Sequence, residues 1–170
     1  RETTIRENSA ISRMRTKVDT LLYLVLLVAS VVGFCSCDDA RTYDHYESIM
    51  MSGWERNDTA SFTVPRQWEG YYSLELGIRA TMKYPYKNIS LIMEGKIIPD
   101  KKKAAYRTFQ DTITCNIIDD NGRLVGKRGI SNTEIMRFTT GLNINRGDSL
   151  YITVRHIMSR EQLPGISDVG

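Results

Sequence analysis

Several absences narrow the reading before any motif is sought. The chain has 2 histidines and 3 cysteines, and neither His45 nor His156 stands beside a cysteine, a serine motif or a pair of carboxylates. Triad chemistry and a His/Cys metal set therefore lack their residues, and no cofactor is implied. Beyond residue 38 no long stretch repeats apolar residues at helical spacing, which argues against a helical domain. The longest apolar run, Leu21–Phe34, has 14 residues, short of the about 20 that a helix needs to cross a hydrocarbon core. A strongly basic face is missing as well: residues 1–37 hold 5 basic and 3 acidic residues, leaving 18 against 17 in the remainder. So nearly neutral a domain gives no support to nucleic acid as a partner.

What is present begins with that apolar run. Arg13, Arg15 and Lys17 precede it, and small residues and cysteines follow it, which is the layout of a secretory signal peptide. Ser36 directly precedes Cys37, and this ending resembles the lipobox of bacterial lipoproteins, although Phe34 and Cys35 depart from the usual aliphatic and small residues. The resemblance implies that Cys37 becomes the first mature residue and carries palmitate-type acyl chains. Cys35 is the rival position, but the bulky Phe34 before it fits that processing poorly. An unlipidated cleaved signal and an uncleaved anchor are the alternatives. One acyl chain holds a protein only marginally on a membrane, whereas two or more hold it stably, so the mature chain is expected at a membrane face of the cell envelope.

The expected organisation follows. Met14-Arg-Thr-Lys reads as an ordinary signal-peptide start, so residues 1–13 read as an extension upstream of the natural initiator. Residues 14–36 form the signal peptide, 37–45 the lipidated cysteine and tether, and 46–170 the folded domain. Asp38, Asp39 and Arg41 read equally as a surface-sorting signal or as a polar tether. With Cys35 removed and Cys37 acylated, only Cys115 remains and no intramolecular disulfide is possible. Stability must come from an apolar core, which a chain of this size is able to build.

From Tyr46 onward the period is two. Tyr72, Leu74, Leu76 and Ile78 alternate with more polar residues, as do Ile113, Cys115 and Ile117, and again Leu150, Ile152 and Val154. Shorter strands are expected at 59–64, 89–93, 134–139 and 46–50. Turn signals fall at Pro65, Lys83-Tyr-Pro-Tyr, Glu94-Gly, Asp119-Asp-Asn-Gly and Arg146-Gly-Asp. Short strands at this spacing predict an all-β fold, an antiparallel β-sandwich of jelly-roll type. Leu163–Gly170 reads as a loop entering another strand where the sequence stops, an ending that would bare a sheet edge if a strand were missing.

Candidate sites are few. Asp119-Asp-Asn-Gly lacks the glutamate of a calcium loop, since Arg123 and Leu124 follow, and reads as a hairpin turn. The Lys101-Lys-Lys103 cluster reads as a solvated loop tip. Cys115 reads as an inert core thiol. Trp54, Trp68, Tyr84 and Tyr86 are the aromatics able to bind a sugar or a protein if exposed together on one face; core or rim packing is the stronger reading for Trp54, and both readings stay open for Tyr84 and Tyr86. Asp58-Thr59-Ala, Asp111-Thr112-Ile and Asp148-Ser149-Leu resemble an O-glycosylation motif of exported Bacteroidota proteins, while ordinary turn chemistry at strand starts explains the same residues.

Read together, Trp54-Glu-Arg-Asn-Asp58-Thr, Phe62, Tyr72–Arg79, Tyr84-Pro-Tyr-Lys-Asn88, Asp111-Thr-Ile, Asp119–Gly122 and Leu163-Pro-Gly-Ile-Ser-Asp-Val-Gly170 resemble the GldH family of gliding motility lipoproteins of Bacteroidota. The resemblance runs from about residue 43 to the end, and Arg79–Asn88 and Leu163–Gly170 are its most specific parts. It implies a non-enzymatic envelope lipoprotein, expected at the outer membrane. Its membrane partner would be reached through the lipid, and its protein partners would belong to a motility or type IX secretion assembly. It transfers no catalytic residue, and Cys37 is the one site it carries over. A surface glycan-binding sandwich is the competing expectation.

Overall fold

A computed structural model describes Leu21, Tyr23 and residues 41–101 and 104–170. The chain divides into two compact units, Arg1–Arg41 and Thr42–Gly170. In the first, the described Leu21 and Tyr23 are helical and exposed. Met14, Cys35, Cys37, Asp38 and Asp39 lie outside the described residues, as does the rest of the apolar run. Among the described residues no helix is long and apolar enough to cross a membrane.

The second unit is antiparallel β-structure. Its strands are β1 (Glu47–Ser48), β2 (Trp54–Glu55), β3 (Ala60–Val64), β4 (Gly70–Ala80), β5 (Asn88–Ile98), β6 (Arg107–Asn116), β7 (Lys127–Arg128), β8 (Thr133–Ile144), β9 (Ser149–His156), β10 (Gln162–Leu163) and β11 (Ile166–Val169). One sheet runs β1-β11-β4-β8-β7, a second runs β3-β9-β5-β6, and β2 pairs with β10 alone. Side chains from both large sheets meet in one core: Leu76, Ile78 and Ile135 from the first, and Phe62, Leu91, Met93, Cys115, Ile152 and Val154 from the second. The fold is the expected all-β sandwich, and the alternating residues of β4, β6 and β9 point inward as their period requires.

Two strands are longer than their sequence pattern, each for a physical reason. In β8, Ile135 and Ile144 are both buried although one has an odd and the other an even number. Leu74 pairs with Thr140 and Glu75 with Phe138, so a β-bulge inserts one extra residue and switches the inward parity midway. In β5, Glu94-Gly95 is not the expected turn but lies within the strand. Gly95 sits directly opposite Phe109, and any side chain at 95 would run into the Phe109 ring, so the glycine makes room for an aromatic neighbour.

Turns form as expected at Thr81–Tyr84, Asp119–Gly122 and Asn145–Asp148, whereas Pro65 stands in an irregular connection between β3 and β4 without a turn. Asp119 holds its hairpin by accepting from the Asn121 and Arg123 amides at 2.9 and 2.8 Å, and Ile118 bridges Leu124 across it. These backbone bonds, led by the one from Arg123, keep the Asp119 carboxyl below its ordinary range. At the chain end, Ile166–Val169 is itself a strand, bonded on one side to β1 and on the other to β4.

Candidate functional site

The two segments that the sequence singles out are brought together at one end of the sandwich. Ala80 pairs with Ile166, the Thr81 amide donates to the Gly165 carbonyl at 2.8 Å, and the Ser167 hydroxyl donates to the Arg79 carbonyl at 3.1 Å. Gly165 has φ of 85°, and a side chain there would strike the backbone of Lys83 and Tyr84. Glycine is thus required twice, by conformation and by space. Tyr84 is buried beneath this junction and donates its hydroxyl to the Asn88 carbonyl at 2.8 Å. Burial, with Tyr86 and Cys115 nearby, pushes its pKa well above the ordinary value. The phenol stays neutral and acts as a pin for the turn.

Beside the junction, β2 and β10 place Trp54 opposite Leu163, and both are buried. The Trp54 indole N–H donates to the Asp58 carbonyl at 3.1 Å, so its polar atom is satisfied in the core. Its ring meets His156 edge-on at 5.3 Å between centroids. The Nε2 of His156 lies 3.0 Å from the Trp54 carbonyl, which fixes the proton on Nε2 and leaves Nδ1 a lone-pair atom. Nδ1 has no hydrogen-bond partner. Burial lowers the His156 pKa, Arg56 lowers it further, and the Trp54 carbonyl and Glu161 oppose them. This is a neutral core histidine that ties an end cap to β9.

On the outer face of the five-stranded sheet, Tyr46 lies over Gly77. Its hydroxyl donates to Glu134 Oε1 at 2.7 Å, and Arg79 sits 3.7 Å above its ring while reaching the same carboxylate at 3.4 Å. Burial and the bond to Glu134 raise the Tyr46 pKa far above its ordinary value. His45 reaches Glu47 at 3.0 Å and meets the Phe62 ring of β3 edge-on. The segment leading into β1 is therefore fastened to both large sheets. Sequence spacing does not reveal this cluster, because residues 46, 79 and 134 are far apart; the glycine interrupting the apolar and polar alternation of β4 is its one trace.

The predicted site residues are dispersed. Cys37 lies outside the described residues. Trp54 and Tyr84 belong to the core, Tyr86 is half-buried with its ring 6.0 Å from Tyr84, and Trp68 is exposed under the Arg146 guanidinium. The four aromatics do not form a shared platform. Thr59 and Thr112 are exposed, Thr59 just before β3 and Thr112 on the edge strand β6, and Ser149 is half-buried after the buried Asp148. Cys115 is buried and its thiol pKa is raised, chiefly by burial. Lys101 is exposed, whereas Lys102 and Lys103 lie outside the described residues.

Among the described residues no group of three or more His, Cys, Asp or Glu side chains converges to hold a metal. A shallow depression on the outer face of the four-stranded sheet gathers Glu94 and Lys96 with Thr108, Gln110 and Tyr151, and a second lies between β6 and β8 beside Cys115, Ile135 and Arg137. Neither joins a nucleophile to a base.

Comparison with known sequences gives the chain its relatives. The GldH lipoprotein family profile matches residues 41–170, nearly the span of the second unit. The chain is 25% identical over 154 residues to the gliding motility lipoprotein GldH homolog of Christiangramia forsetii, covering 85% of this chain and 90% of that protein. It is 24% identical over 154 residues to the gliding motility lipoprotein GldH of Flavobacterium johnsoniae, covering 86% and 91%.

Proposed function

We propose a function from one premise: the chain belongs to the GldH lipoprotein family. On our reading it is a non-enzymatic lipoprotein, held by acyl chains on Cys37 at the outer membrane and acting by contact within a gliding motility or type IX secretion assembly. The observation that carries this is the family match over residues 41–170, which spans the whole of the compact β unit and none of the presequence.

Physical chemistry supports a contact role. The buried His156, Tyr84 and Cys115 are each neutral and each spent on packing, so they are unsuited to proton transfer or nucleophilic attack. A membrane tether confines the domain to two dimensions, raising its effective concentration toward other envelope proteins. Weak intrinsic affinity then suffices for assembly.

Affinity purification of the chain from detergent-solubilised native envelopes, followed by mass spectrometry, tests the reading. Motility or secretion lipoproteins and outer-membrane components should co-purify in constant ratio. Purification of the chain by itself, together with unchanged secretion and motility after gene deletion, would contradict it.

A further inference from the structure

The two flanks of the sandwich are finished differently. On one, β1 and β3 are short edge strands of 2 and 5 residues, and the entry segment is laid across them through the contact of His45 with Phe62. On the other, β6 ends the four-stranded sheet with 10 residues, and β7 covers β8 at Thr133 and Glu134 alone. Among the described residues no strand pairs with the outer edge of β6.

That edge is readable residue by residue. The Ile117 amide donates to the Lys87 carbonyl at 2.7 Å, and the Ile157 amide to the Ser90 carbonyl at 2.9 Å. Bonded and non-bonded pairs alternate along an antiparallel ladder, so β5 turns its odd-numbered residues to β6 and its even-numbered ones to β9. The N–H and C=O groups of Thr108, Gln110, Thr112 and Thr114 therefore face outward. Both ends of the row are closed: Arg107 reaches across the flank to donate to the Asn143 carbonyl at 2.7 Å, and the Val125 amide donates to the Ile117 carbonyl at 2.9 Å. An open window remains over residues 108–114.

The window lacks the devices that commonly blunt an edge, for it holds no proline and no lysine, and its register with β5 never shifts. Threonine, a good strand former, fills three of its four outward positions. Its one charge is Asp111, which shares the inward side with Ile113 and Cys115, is half-buried, and makes no ion pair or hydrogen bond among the described residues. Two copies of the window overlapped in full would set Asp111 against Asp111, and like charges directly opposite destabilise a ladder. The edge thus disfavours its own copy and favours a strand that brings a cation to that level. Next along the inward side, the depression between β6 and β8 presents Cys115, Val125 and Ile135 to a neighbouring apolar side chain, and Arg137 on its rim opposes a second cation there.

We infer that β6 is the docking edge for an extended segment of another envelope protein, added antiparallel with a lysine or arginine opposite Asp111 and an apolar residue opposite Ile113. Main-chain bonds over 108–114 supply the affinity, and the two side chains supply the selectivity. The inference rests on the contact role proposed above and names the chemistry of its partner.

Amide exchange of the purified full chain in mild detergent, followed by NMR, tests it with a defined probe, the peptide acetyl-Thr-Val-Thr-Lys-Thr-Val-Thr-amide. In the free chain the amides of Thr108, Gln110, Thr112 and Thr114 should exchange much faster than those of Phe109, Asp111 and Ile113. Millimolar peptide should slow the even-numbered set several-fold, its Lys→Glu analogue should not, and Asp111→Lys should reverse that preference. Thr112→Pro removes an N–H that faces outward and no bond to β5, so it should abolish the peptide effect while the odd-numbered amides stay slow. Equal effects of the two peptides, or none from either, would overturn the inference. So would protection that rises with the chain's own concentration, which would assign the edge to a second copy. In native envelopes Thr112→Pro should lose a partner that the wild-type chain retains. Retention of every partner by Thr112→Pro would overturn the inference and leave the contact role standing, whereas a wild-type chain that purifies alone contradicts the contact role, and the edge is then judged on the peptides.

Discussion

The ring of His156 meets the main-chain carbonyl of Trp54 at 3.0 Å, 102 residues away in sequence. One bond thus ties the last residue of β9 to the small β2–β10 sheet that closes the end of the core. The pKa of this buried ring is lowered in the fold, so the unfolded chain binds a proton that the folded chain refuses. Its contribution to stability is complete above the unfolded value, about 6.5, and is lost as pH falls from there toward the folded value. Urea midpoints should decline between pH 7.5 and pH 5, and His156→Gln should flatten that part of the profile. A wild-type slope retained in the variant would place the titration elsewhere.

Gly165→Ala and Gly122→Ala separate two kinds of constraint. Both glycines have positive φ, 85° and 76°, but a side chain at 122 meets open space while one at 165 meets the backbone of Lys83 and Tyr84. The left-handed conformation alone costs about 1–2 kcal/mol. Gly122→Ala should lose no more than that in chemical denaturation, and Gly165→Ala clearly more. Equal losses would mean that the junction yields.

Tyr46→Phe removes the hydroxyl bond to Glu134 and keeps the ring over Gly77. A loss of about 1.5–3 kcal/mol is expected for a bond to a charged acceptor. Tyr46→Ala also strips the ring from beneath Arg79 and should loosen the entry to β1, so limited proteolysis near residues 42–46 should accelerate in Tyr46→Ala and far less in Tyr46→Phe. Similar cleavage rates in the two variants would show that the ring does not fasten the segment.

Cys115 provides a chemical check on the core. Its thiol is buried and its pKa raised, so little thiolate is present at neutral pH. Iodoacetamide should leave it unmodified in the native chain and alkylate it rapidly in denaturant. Fast native modification would show that the space between β6 and β8 opens.

Much of this architecture was legible in the alternating residues, because a half-buried strand writes its inward face as every second position. Leu76 and Ile78, Ile113 and Cys115, and Ile152 and Val154 declared themselves in this way. The pattern failed where a local device broke the period: the bulge beside Phe138 reverses the parity of β8, and Gly95 mimics a turn while yielding space to Phe109. The junction of Arg79–Asn88 with Leu163–Gly170 was recognisable only as two separate motifs, since nothing in one-dimensional spacing states that β11 lies beside β4. The burial of Trp54 with His156 was hidden for the same reason.

Acylation of the thiol at position 37 underlies the proposed envelope role, and the intact mass of the chain extracted from native membranes tests it most directly. The expected species begins at Cys37, carries the added mass of several acyl chains and partitions with the membrane. A chain recovered in the aqueous fraction, beginning at another residue and matching peptide mass alone, would contradict the account.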